Sequence, residues 1–358
     1  MYIIKPKKNL WLFGAWFGNK YSDNTKYLFE YIIKNHQEIN CIWITEDKTL
    51  LSNKQFIYRH SLKGMFYALR AEVFIVTHST TADLYYFIND YARIVVQLWH
   101  GIPIKKIVHD DKLHNVIDSK FKRYYKEKYS LIIASSDSDK KNLTSAFKVE
   151  DNIVKVTGYP RNDIFTEQNI NKKLKAYKIL YAPTLRGGKG KSINLFDEYD
   201  FEIDNVIILL EKLDIYLDIK MHPVNKIDPA FKESIQHKRI NFLESDIDIN
   251  NILSEYSIII SDYSGIYIDY LLLNRPIIFA PFDYEKYLLE DRQLYYNYED
   301  VSPGPKCMNW IEVLVWIEKF INNKDLYLKE REDTKNIFHS FEDCNNSKRV
   351  YDNILELL

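Results

Sequence analysis

The chain has 358 residues, a length that indicates two domains of ordinary size. Hydrophobic residues make up 46% and charged residues 28%, as in globular proteins, and no apolar run is long enough for a membrane-spanning helix. The N-terminus lacks the pattern of a secretory signal, and Cys41, Cys307 and Cys344 form neither a metal-ligand spacing nor a disulfide framework, which favours a reducing cytosol.

The net charge of −1 conceals an asymmetry between the halves of the chain. Residues 1–178 hold 29 lysines and arginines against 18 acidic residues, a net +11, and the remainder holds 20 against 32, a net −12. A basic half would attract an anionic partner such as a membrane surface, a phosphorylated polymer or nucleic acid. The alternative is that the two halves attract each other, and composition leaves both interpretations open.

Short apolar runs alternate with amphipathic stretches along the first half. Helices are predicted at Asn24–Asn35, Leu62–Ala71 and Asp137–Phe147, and cap-type residues open the last of them. Between the helices, the predicted strands are Cys41–Thr45, Val73–Thr77, Ile94–Leu98, Leu131–Ala134 and Ile153–Thr157.

The second half repeats this alternation after a polar break at Thr166–Lys175. Helices are predicted at Asp204–Lys212, Ile249–Glu255 and Gly265–Leu273, and the C-terminal stretches 310–321, 326–338 and 347–358 also have helical patterns. The predicted strands are Lys178–Ala182, Ile215–Met221, Ile240–Leu243, Ser257–Ser261 and Pro276–Ala280. Because strands that alternate with helices form parallel sheets, the sequence predicts an α/β fold of two doubly wound, Rossmann-like domains that face one cleft, with a helical C-terminus. We place the domains at 1–170 and 171–358.

Ligands of open α/β sheets bind beyond the carboxyl ends of the strands, so the residues after each predicted strand are the first candidates for chemistry. Each such tip alone is ordinary turn chemistry, but the five of them together carry two histidines, two arginines, two aspartates and a serine. The five tips are 99–101 (Trp-His-Gly), 158–163 (Gly-Tyr-Pro-Arg-Asn-Asp), 183–188 (Pro-Thr-Leu-Arg-Gly-Gly), 222–223 (His-Pro) and 262–265 (Asp-Tyr-Ser-Gly). His78 ends a further strand and is a weaker candidate for lining the cleft.

The last tip is a candidate phosphate site. Ser264 and Gly265 begin a predicted helix, where free main-chain N–H groups and the helix dipole favour an anion. The competing interpretation is a plain helix cap by Asp262 or Ser264. Arg186 could add a bidentate phosphate contact, or it could be a solvated surface arginine.

In combination these motifs resemble the CDP-glycerol glycerophosphotransferases of teichoic acid and capsule synthesis. The matching pieces occur in the family's order from about residue 11 to about residue 345: FGNKYSDNTKYLFEYI, QLWHGIPIKKI, GYPRND, ILYAPTLR, MHP, the segment Asp248–Tyr287, and PGP at 303–305. The resemblance implies a GT-B-like fold in which the second domain holds the nucleotide and the first holds the acceptor. This chain departs from the family at Ile102, Leu185 and Gly265; the last change removes a hydroxyl but keeps the main-chain N–H.

The resemblance also implies a mechanism. The donor is a CDP-activated polyol, most often CDP-glycerol, and an acceptor hydroxyl attacks the phosphorus that bears the polyol while CMP leaves. Such transfer needs a base and positive charge near the phosphoryl oxygens, and imidazole suits the base. By resemblance His100 is the base, and His222 contacts the transferred phosphate or the leaving group. The residues expected to bind substrate are Arg186, Asp262, Ser264, Gly265, Gly101, Pro223, Thr184, Arg161 and Asp283.

Two of these assignments have alternatives: Arg161 could lock the domain junction, and Asp283 could serve the core or the surface. No cofactor is expected. The charge of two histidines and an arginine means that a metal is not obligatory, and a divalent metal stays an open alternative. The implied acceptor is a polyprenyl-diphosphate-linked saccharide or a growing polyol-phosphate polymer, and nucleic acid is not expected as a partner.

The segment Lys120–Lys128 interleaves basic and aromatic residues, as a membrane-interface patch would, although a solvated helix face is the competing interpretation. We therefore expect a cytosolic enzyme that attaches peripherally to the inner face of the bacterial membrane. The alternative functions are a ribitol phosphotransferase that uses CDP-ribitol, a nucleotide-sugar glycosyltransferase of the same fold, and a non-catalytic binding protein.

Overall fold

The computed structural model describes residues 5–85, 93–111, 128–166, 177–184, 186, 195–221, 229–244, 247–290 and 293–358. The chain divides into two compact units. The first comprises Met1–Ile102, Val108–Thr166 and Phe338–Leu358, and the second comprises Pro103–Ile107 and Glu167–Ile337. The sequence predicted a single division after residue 170, whereas the C-terminal segment Phe338–Leu358 belongs to the first unit in the structure.

The first unit is built on a parallel seven-stranded sheet in the order β3-β2-β1-β4-β5-β6-β7. Two of its strands, β1 and β3, were not predicted from the sequence. Residues 10–13 of β1 are buried in the interior of the sheet, and the apolar run continues past Gly14 through Ala15, Trp16 and Phe17, so no polar residue marks where the strand ends. The strands are β1 (Leu10–Gly14), β2 (Asn40–Thr45), β3 (Phe56–Tyr58), β4 (Val73–Val76), β5 (Ile94–Gln97), β6 (Leu131–Ala134) and β7 (Val154–Val156).

The helices of the first unit begin where the sequence provides caps. They are α1 (Asp23–Asn35), α2 (Leu62–Arg70) and α3 (Asp137–Phe147), close to the predicted bounds. The Ser61 side chain accepts a hydrogen bond from Gly64 N at the start of α2, and the Ser136 side chain accepts one from Asp139 N at the start of α3.

The second unit is built on a parallel five-stranded sheet in the order β10-β9-β8-β11-β12. All five strands were predicted, each within two residues of its observed bounds. They are β8 (Tyr177–Tyr181), β9 (Ile215–Ile219), β10 (Ile240–Phe242), β11 (Ile258–Ser261) and β12 (Ile277–Phe279). The sheet packs through an apolar core that includes the fully buried Trp310.

The helices of the second unit correct two predictions. The predicted helix Ile249–Glu255 is a pair of short 3₁₀ turns, and the predicted helix Gly265–Leu273 has only five α-helical residues before it tightens into a 3₁₀ turn. The helices are α4 (Ile203–Lys212), α5 (Pro229–Ser234), α6 (Ile266–Tyr270), α7 (Tyr284–Glu290), α8 (Tyr298–Val301), α9 (Trp310–Ile321) and α10 (Leu328–Phe338). None of the helices in the described ranges has the length and apolarity needed to cross a membrane.

The last helix, α11 (Asn346–Leu355), packs on the first unit. The carboxylate of Asp163 accepts hydrogen bonds from the main-chain N–H groups of Asn346 and Ser347, both at 2.8 Å. The ring of Tyr351 stacks on that of His36 with centroids 3.7 Å apart. These contacts explain why the C-terminal segment leaves the second unit: its cap and its ring partner are both in the first.

Each sheet has a point where the strand order reverses, between β1 and β4 in the first unit and between β8 and β11 in the second. Ligands of doubly wound sheets bind at such switch points, outside the carboxyl ends of the strands. The predicted α/β class with two Rossmann-like units is therefore confirmed, and each unit has one expected ligand position.

Candidate active site

His100 lies in a sharp turn that follows β5, at the carboxyl edge of the first sheet. The side-chain amide of Asn24, in α1, donates hydrogen bonds to the carbonyls of Leu98 (3.0 Å) and Trp99 (3.1 Å). Trp99 has a φ of 51° and Gly101 a φ of 133°, the second of which only glycine adopts readily. A neighbouring helix therefore fixes the backbone that carries His100.

Arg161 lies beneath this turn. Its Nη1 donates hydrogen bonds to the carboxylate of Asp23 and to the carbonyl of His100, both at 2.9 Å. Its main-chain N donates to Asn24 Oδ1 at 3.2 Å, and a Cβ at Gly101 would lie 2.6 Å from its Nη2. The side chain is buried and holds the main chain of the candidate base, which favours a positioning role over a substrate contact.

Aromatic rings surround the imidazole of His100. The His78 ring stacks on it with centroids 4.8 Å apart and an interplanar angle of 19°, and the rings of Trp99 and Trp16 lie at 4.1 Å and 5.6 Å. The His78 ring in turn contacts that of Phe17 at 4.6 Å. The sequence singled out His78 as the weaker candidate, and the structure brings it to the same strand edge as His100.

Asp83, which was not a candidate from the sequence, holds the main chain of this group of rings. Its side chain is fully buried and accepts hydrogen bonds from the main-chain N–H groups of Thr77 (2.9 Å), His78 (2.7 Å) and Phe17 (2.9 Å). One carboxylate oxygen also lies 3.4 Å from His78 Nδ1. Asp83 therefore fixes the main chain after both β1 and β4, the two strands at the switch point.

In the second unit, Arg186 occupies the space between two carboxylates. Its Nε and Nη2 donate to the two oxygens of Asp283 (2.7 and 2.9 Å), its Nη2 also contacts Asp262 at 2.7 Å, and its Nη1 donates to the Thr184 carbonyl at 2.7 Å. Burial alone would lower the pKa of Arg186, but Asp262 and Asp283 raise it well above its usual value. Arg186 is thus a buried, permanently charged brace, and the surface-arginine interpretation is wrong.

The switch point of the second sheet lies between Thr184, after β8, and Asp262, after β11. The Asp262 carboxylate accepts a hydrogen bond from Thr184 N, which is 3.0 Å from each oxygen. The Thr184 hydroxyl is buried and has no hydrogen-bond partner among the described residues. Tyr263 completes the edge: its hydroxyl donates to Asp283 at 3.1 Å and its ring faces the Arg186 guanidinium at 5.0 Å.

Ser264 and Gly265 lie at the start of α6, as predicted, but α6 is short. Its five residues provide a weaker dipole than the predicted nine-residue helix would. Gly265 has a φ of −64°, so its backbone does not require glycine. A phosphate seat here stays a prediction that depends on main-chain N–H groups.

His222 and Pro223 lie outside the described residues, as do Leu185, residues 187–191 and most of Lys120–Lys128. The predicted role of His222 therefore stays a prediction. Within the described ranges no group of three or more histidine, cysteine, aspartate or glutamate side chains could hold a metal ion.

The sequence matches the family model described as CDP-Glycerol:Poly(glycerophosphate) glycerophosphotransferase over residues 1–356. It is 28% identical over 384 residues to the teichoic acid poly(glycerol phosphate) polymerase of Bacillus spizizenii, which covers 99% of this chain and 93% of that protein. It is 26% identical over 379 residues to the teichoic acid glycerol-phosphate transferase of Staphylococcus aureus, with coverage of 98% and 94%.

Among solved structures, the wall teichoic acid polymerase TagF superposes with a TM-score of 0.80 at 21% sequence identity, over 98% of this chain and 89% of that chain. A histidine-to-asparagine variant of TagF soaked with CDPG superposes equally well, with a TM-score of 0.80. At this level of identity the superposition shows a common fold.

Proposed function

The chain belongs to the CDP-glycerol:poly(glycerophosphate) glycerophosphotransferase family, and from this membership we propose that it transfers glycerol phosphate, or another polyol phosphate, from a CDP-activated donor to an acceptor hydroxyl in teichoic acid synthesis. The second product is CMP. One observation carries the mechanism: His100 lies at the carboxyl edge of a parallel sheet, on a backbone fixed by Asn24 and Arg161.

In the proposed step, the acceptor oxygen attacks the phosphorus that bears the glycerol. A new oxygen–phosphorus bond forms, and the bond from that phosphorus to the oxygen of the CMP phosphate breaks. The hydroxyl proton passes to the His100 imidazole, and CMP keeps the electron pair of the broken bond. A positioned base of this kind accounts for about 10²- to 10⁴-fold of the rate.

The donor is proposed to bind at the switch point of the second unit. Thr184 supports this placement, because a buried hydroxyl with no hydrogen-bond partner among the described residues is available to donate to a diphosphate oxygen. Arg186 lies between two carboxylates, so the cluster carries one positive and two negative charges and would position Thr184 and Asp262 rather than neutralise the diphosphate. Main-chain N–H groups at Ser264 and Gly265, together with His222 and Pro223, are the further candidates.

The reaction is tested by incubating the protein separately with CDP-glycerol, CDP-ribitol and a UDP-sugar in the presence of a lipid-linked acceptor. We expect CMP from CDP-glycerol or CDP-ribitol, together with a phosphodiester product whose length distinguishes one added unit from many. Release of UDP, without CMP, would support the nucleotide-sugar glycosyltransferase instead. Product formation unchanged by His100→Ala would exclude His100 as the base.

The acceptor is proposed to be lipid-linked, and the protein to work at the inner face of the membrane. Support comes from α2, which buries its small residues Gly64 and Ala68 and exposes large apolar ones. Its outward face presents Leu62 (83% exposed), Phe66 (56%) and Leu69 (41%). Side chains spaced i, i+4 and i+7 share one side of a helix, so the three form an apolar stripe.

Basic residues adjoin this stripe. Lys63 lies on α2 itself, Lys7 donates its main-chain N–H to the carbonyl of Arg70 at 2.7 Å, and Arg93 donates to the carbonyl of Leu69 at 3.0 Å. An exposed apolar stripe with adjoining cations matches an anionic lipid surface, whose headgroups attract the cations while the acyl boundary accepts the apolar side chains.

A further inference from the structure

Trp16 and Phe17, two aromatic residues that follow β1 after Ala15, form what we call the aromatic ledge. Both have positive φ, 49° and 60°, a backbone conformation that is unfavourable for bulky side chains. Phe17 is also 47% exposed, so the fold gains little from burying its ring. Burial of the Phe17 ring therefore does not explain why its unfavourable backbone conformation is kept. Backbone strain of this kind clusters at functional sites.

Buried polar groups hold the aromatic ledge in this conformation. The Asp83 carboxylate accepts the main-chain N–H of Phe17 at 2.9 Å, and the Asp23 carboxylate accepts the indole N–H of Trp16 at 3.2 Å. Arg59 donates to the Phe17 carbonyl at 2.9 Å. The ledge is therefore a preorganised surface, and its binding partner need not order it.

The aromatic ledge lies at the switch point of the first sheet, beside the candidate base. Trp16 and Phe17 follow β1, and His78, whose ring contacts both of theirs, follows β4. The Trp16 ring centroid is 5.6 Å from that of His100. A reactant bound at the ledge would therefore lie beside the candidate base, the position that the proposed reaction assigns to the acceptor hydroxyl.

The chemistry of the ledge discriminates between two kinds of acceptor. The faces of aromatic rings carry partial negative charge, so they attract C–H groups and repel phosphate oxygens. A pyranose ring offers a face of C–H groups, whereas a polyol-phosphate chain carries a negative charge in every unit and requires cations. Two cations beside the ledge are engaged by the ledge itself or by an acidic side chain: Lys20 Nζ lies over the Trp16 ring, 5.7 Å from its centroid, and Arg59 donates to Glu46 and to the Phe17 carbonyl. The exposed face of Phe17 therefore favours the sugar ring.

We propose that the aromatic ledge binds a sugar ring at the end of the acceptor and directs one of its hydroxyls at His100. This inference rests on the proposed function, because it names the acceptor of the same reaction. The bond that forms joins the sugar oxygen to the phosphorus of the donor, and the hydroxyl proton passes to His100 as CMP leaves.

The test compares two short-chain, water-soluble acceptors, one that ends in a pyranose and one that ends in glycerol phosphate, with CDP-glycerol as donor and CMP release as readout. For Phe17→Ala we expect the KM of the pyranose acceptor to rise about tenfold, with the KM of CDP-glycerol and the rate with the other acceptor unchanged. Phe17→Tyr keeps the ring and should behave as wild type. The matched control is Tyr177→Ala, which removes a ring of similar exposure (51%) from the second unit.

The outcomes separate the two proposals. If neither acceptor yields CMP, the proposed function fails. If only the glycerol-phosphate acceptor yields CMP, or if Phe17→Ala impairs both acceptors equally or neither, the proposed function stands and the sugar subsite is overturned. A folding defect would appear as a lowered thermal midpoint of Phe17→Ala, and Phe17→Leu, which keeps a large apolar side chain without an aromatic face, then decides the same comparison.

Discussion

His100 is the residue on which the proposed reaction depends most. For His100→Ala we predict a fall in kcat of about 10³-fold, within the range that loss of a general base produces. The KM for CDP-glycerol should change little, because the proposed donor site is formed by the second unit. The measurement is steady-state CMP release by wild type and variant at matched thermal midpoints. A kcat within tenfold of wild type would contradict the role.

Substitution of Thr184 should weaken donor binding without lowering the stability of the protein. If its buried hydroxyl donates to the donor diphosphate, Thr184→Val should raise the KM for CDP-glycerol about tenfold, since a hydrogen bond to a charged group contributes about 1.5–3 kcal/mol. The thermal midpoint should not fall, because the hydroxyl has no partner among the described residues. Thr144→Val is the control: it removes another buried hydroxyl with no partner in the described ranges, from the first unit, and should leave the KM unchanged.

Asp139 should make stability depend on pH. Burial raises the pKa of Asp139 to about 7 from its ordinary 3.8, despite hydrogen bonds from Ser135 N and Tyr159 that lower it. The folded state therefore favours the protonated carboxyl, and stability is lost as pH rises through about 7. Between pH 6 and pH 8 the free energy of unfolding should fall by about 1 kcal/mol.

Urea unfolding at several pH values checks this dependence. Asp139→Asn, which cannot ionise, should remove most of the slope between pH 6 and pH 8, while Asp137→Asn, an exposed neighbour in the same helix, should retain it. An equal slope in all three proteins would mean that other groups set the pH dependence.

Residues with a strong local signal could be placed at strand ends from the sequence, whereas contacts between distant residues could not be predicted. His100, Arg186 and Asp262 follow predicted strands, so the rule for strand tips located them. Asp83 lies 66 positions from Phe17, whose N–H it binds, and nothing local marks that pairing. The same holds for Arg186 and Asp283, which are 97 positions apart: their ion pair was not foreseen, and the role of Arg186 in binding phosphate stays a prediction.

At the scale of elements, α2 makes a prediction about membrane binding. Serine substitution at Leu62, Phe66 and Leu69 together should lower binding to vesicles that contain phosphatidylglycerol by tenfold or more, because it removes the exposed apolar stripe. Wild-type binding should also weaken at high salt, since the Debye length falls to about 3 Å at 1 M ionic strength. Vesicle co-sedimentation at low and high salt measures both effects.

The matched control for α2 is Ile311→Ser with Val315→Ser, which changes two exposed apolar residues of α9 in the second unit. This variant should sediment with vesicles as wild type does. If the α2 variant also binds like wild type, the membrane contact lies elsewhere. If instead the wild type self-associates through α2 without binding vesicles, a second copy of the chain is the partner of the stripe.

Most helices and strands were predicted from the sequence, and those that were not have physical reasons. Alternation and caps located α1, α2, α3 and all five strands of the second sheet. The apolar run of β1 continues past Gly14 through Ala15, Trp16 and Phe17, so it lacks the polar flank that bounds the predicted strands β4 and β6. The predicted helix Ile249–Glu255 has the right composition but forms two 3₁₀ turns, since single-sequence propensity is a weak prior that tertiary contacts override.

At the scale of the whole molecule, the chain returns to its first unit after completing the second. A single boundary in the sequence assigns every later residue to the second domain. The predicted boundary after residue 170 therefore placed the last helix in the second domain. Two contacts bring α11 back: Asp163, in the GYPRND motif, caps the helix, and Arg349 donates to the carbonyl of Thr157, which directly precedes that motif, at 2.8 Å. The same motif contributes Arg161 to the His100 turn, so one segment connects the C-terminal helix to the candidate base.

This connection predicts the effect of Asp163→Ala. Loss of two hydrogen bonds at the start of α11 should lower the free energy of unfolding by about 1–2 kcal/mol, the usual effect of removing a helix cap. Hydrogen exchange should show faster exchange in α11 and in the strands of the first unit, with β8–β12 unchanged. Asp343→Ala is the matched control: its ion pair with Arg349 is exposed, so its removal should cost at most about 1 kcal/mol. Faster exchange confined to the second unit would mean that α11 stabilises the second unit, as the predicted domain boundary implied.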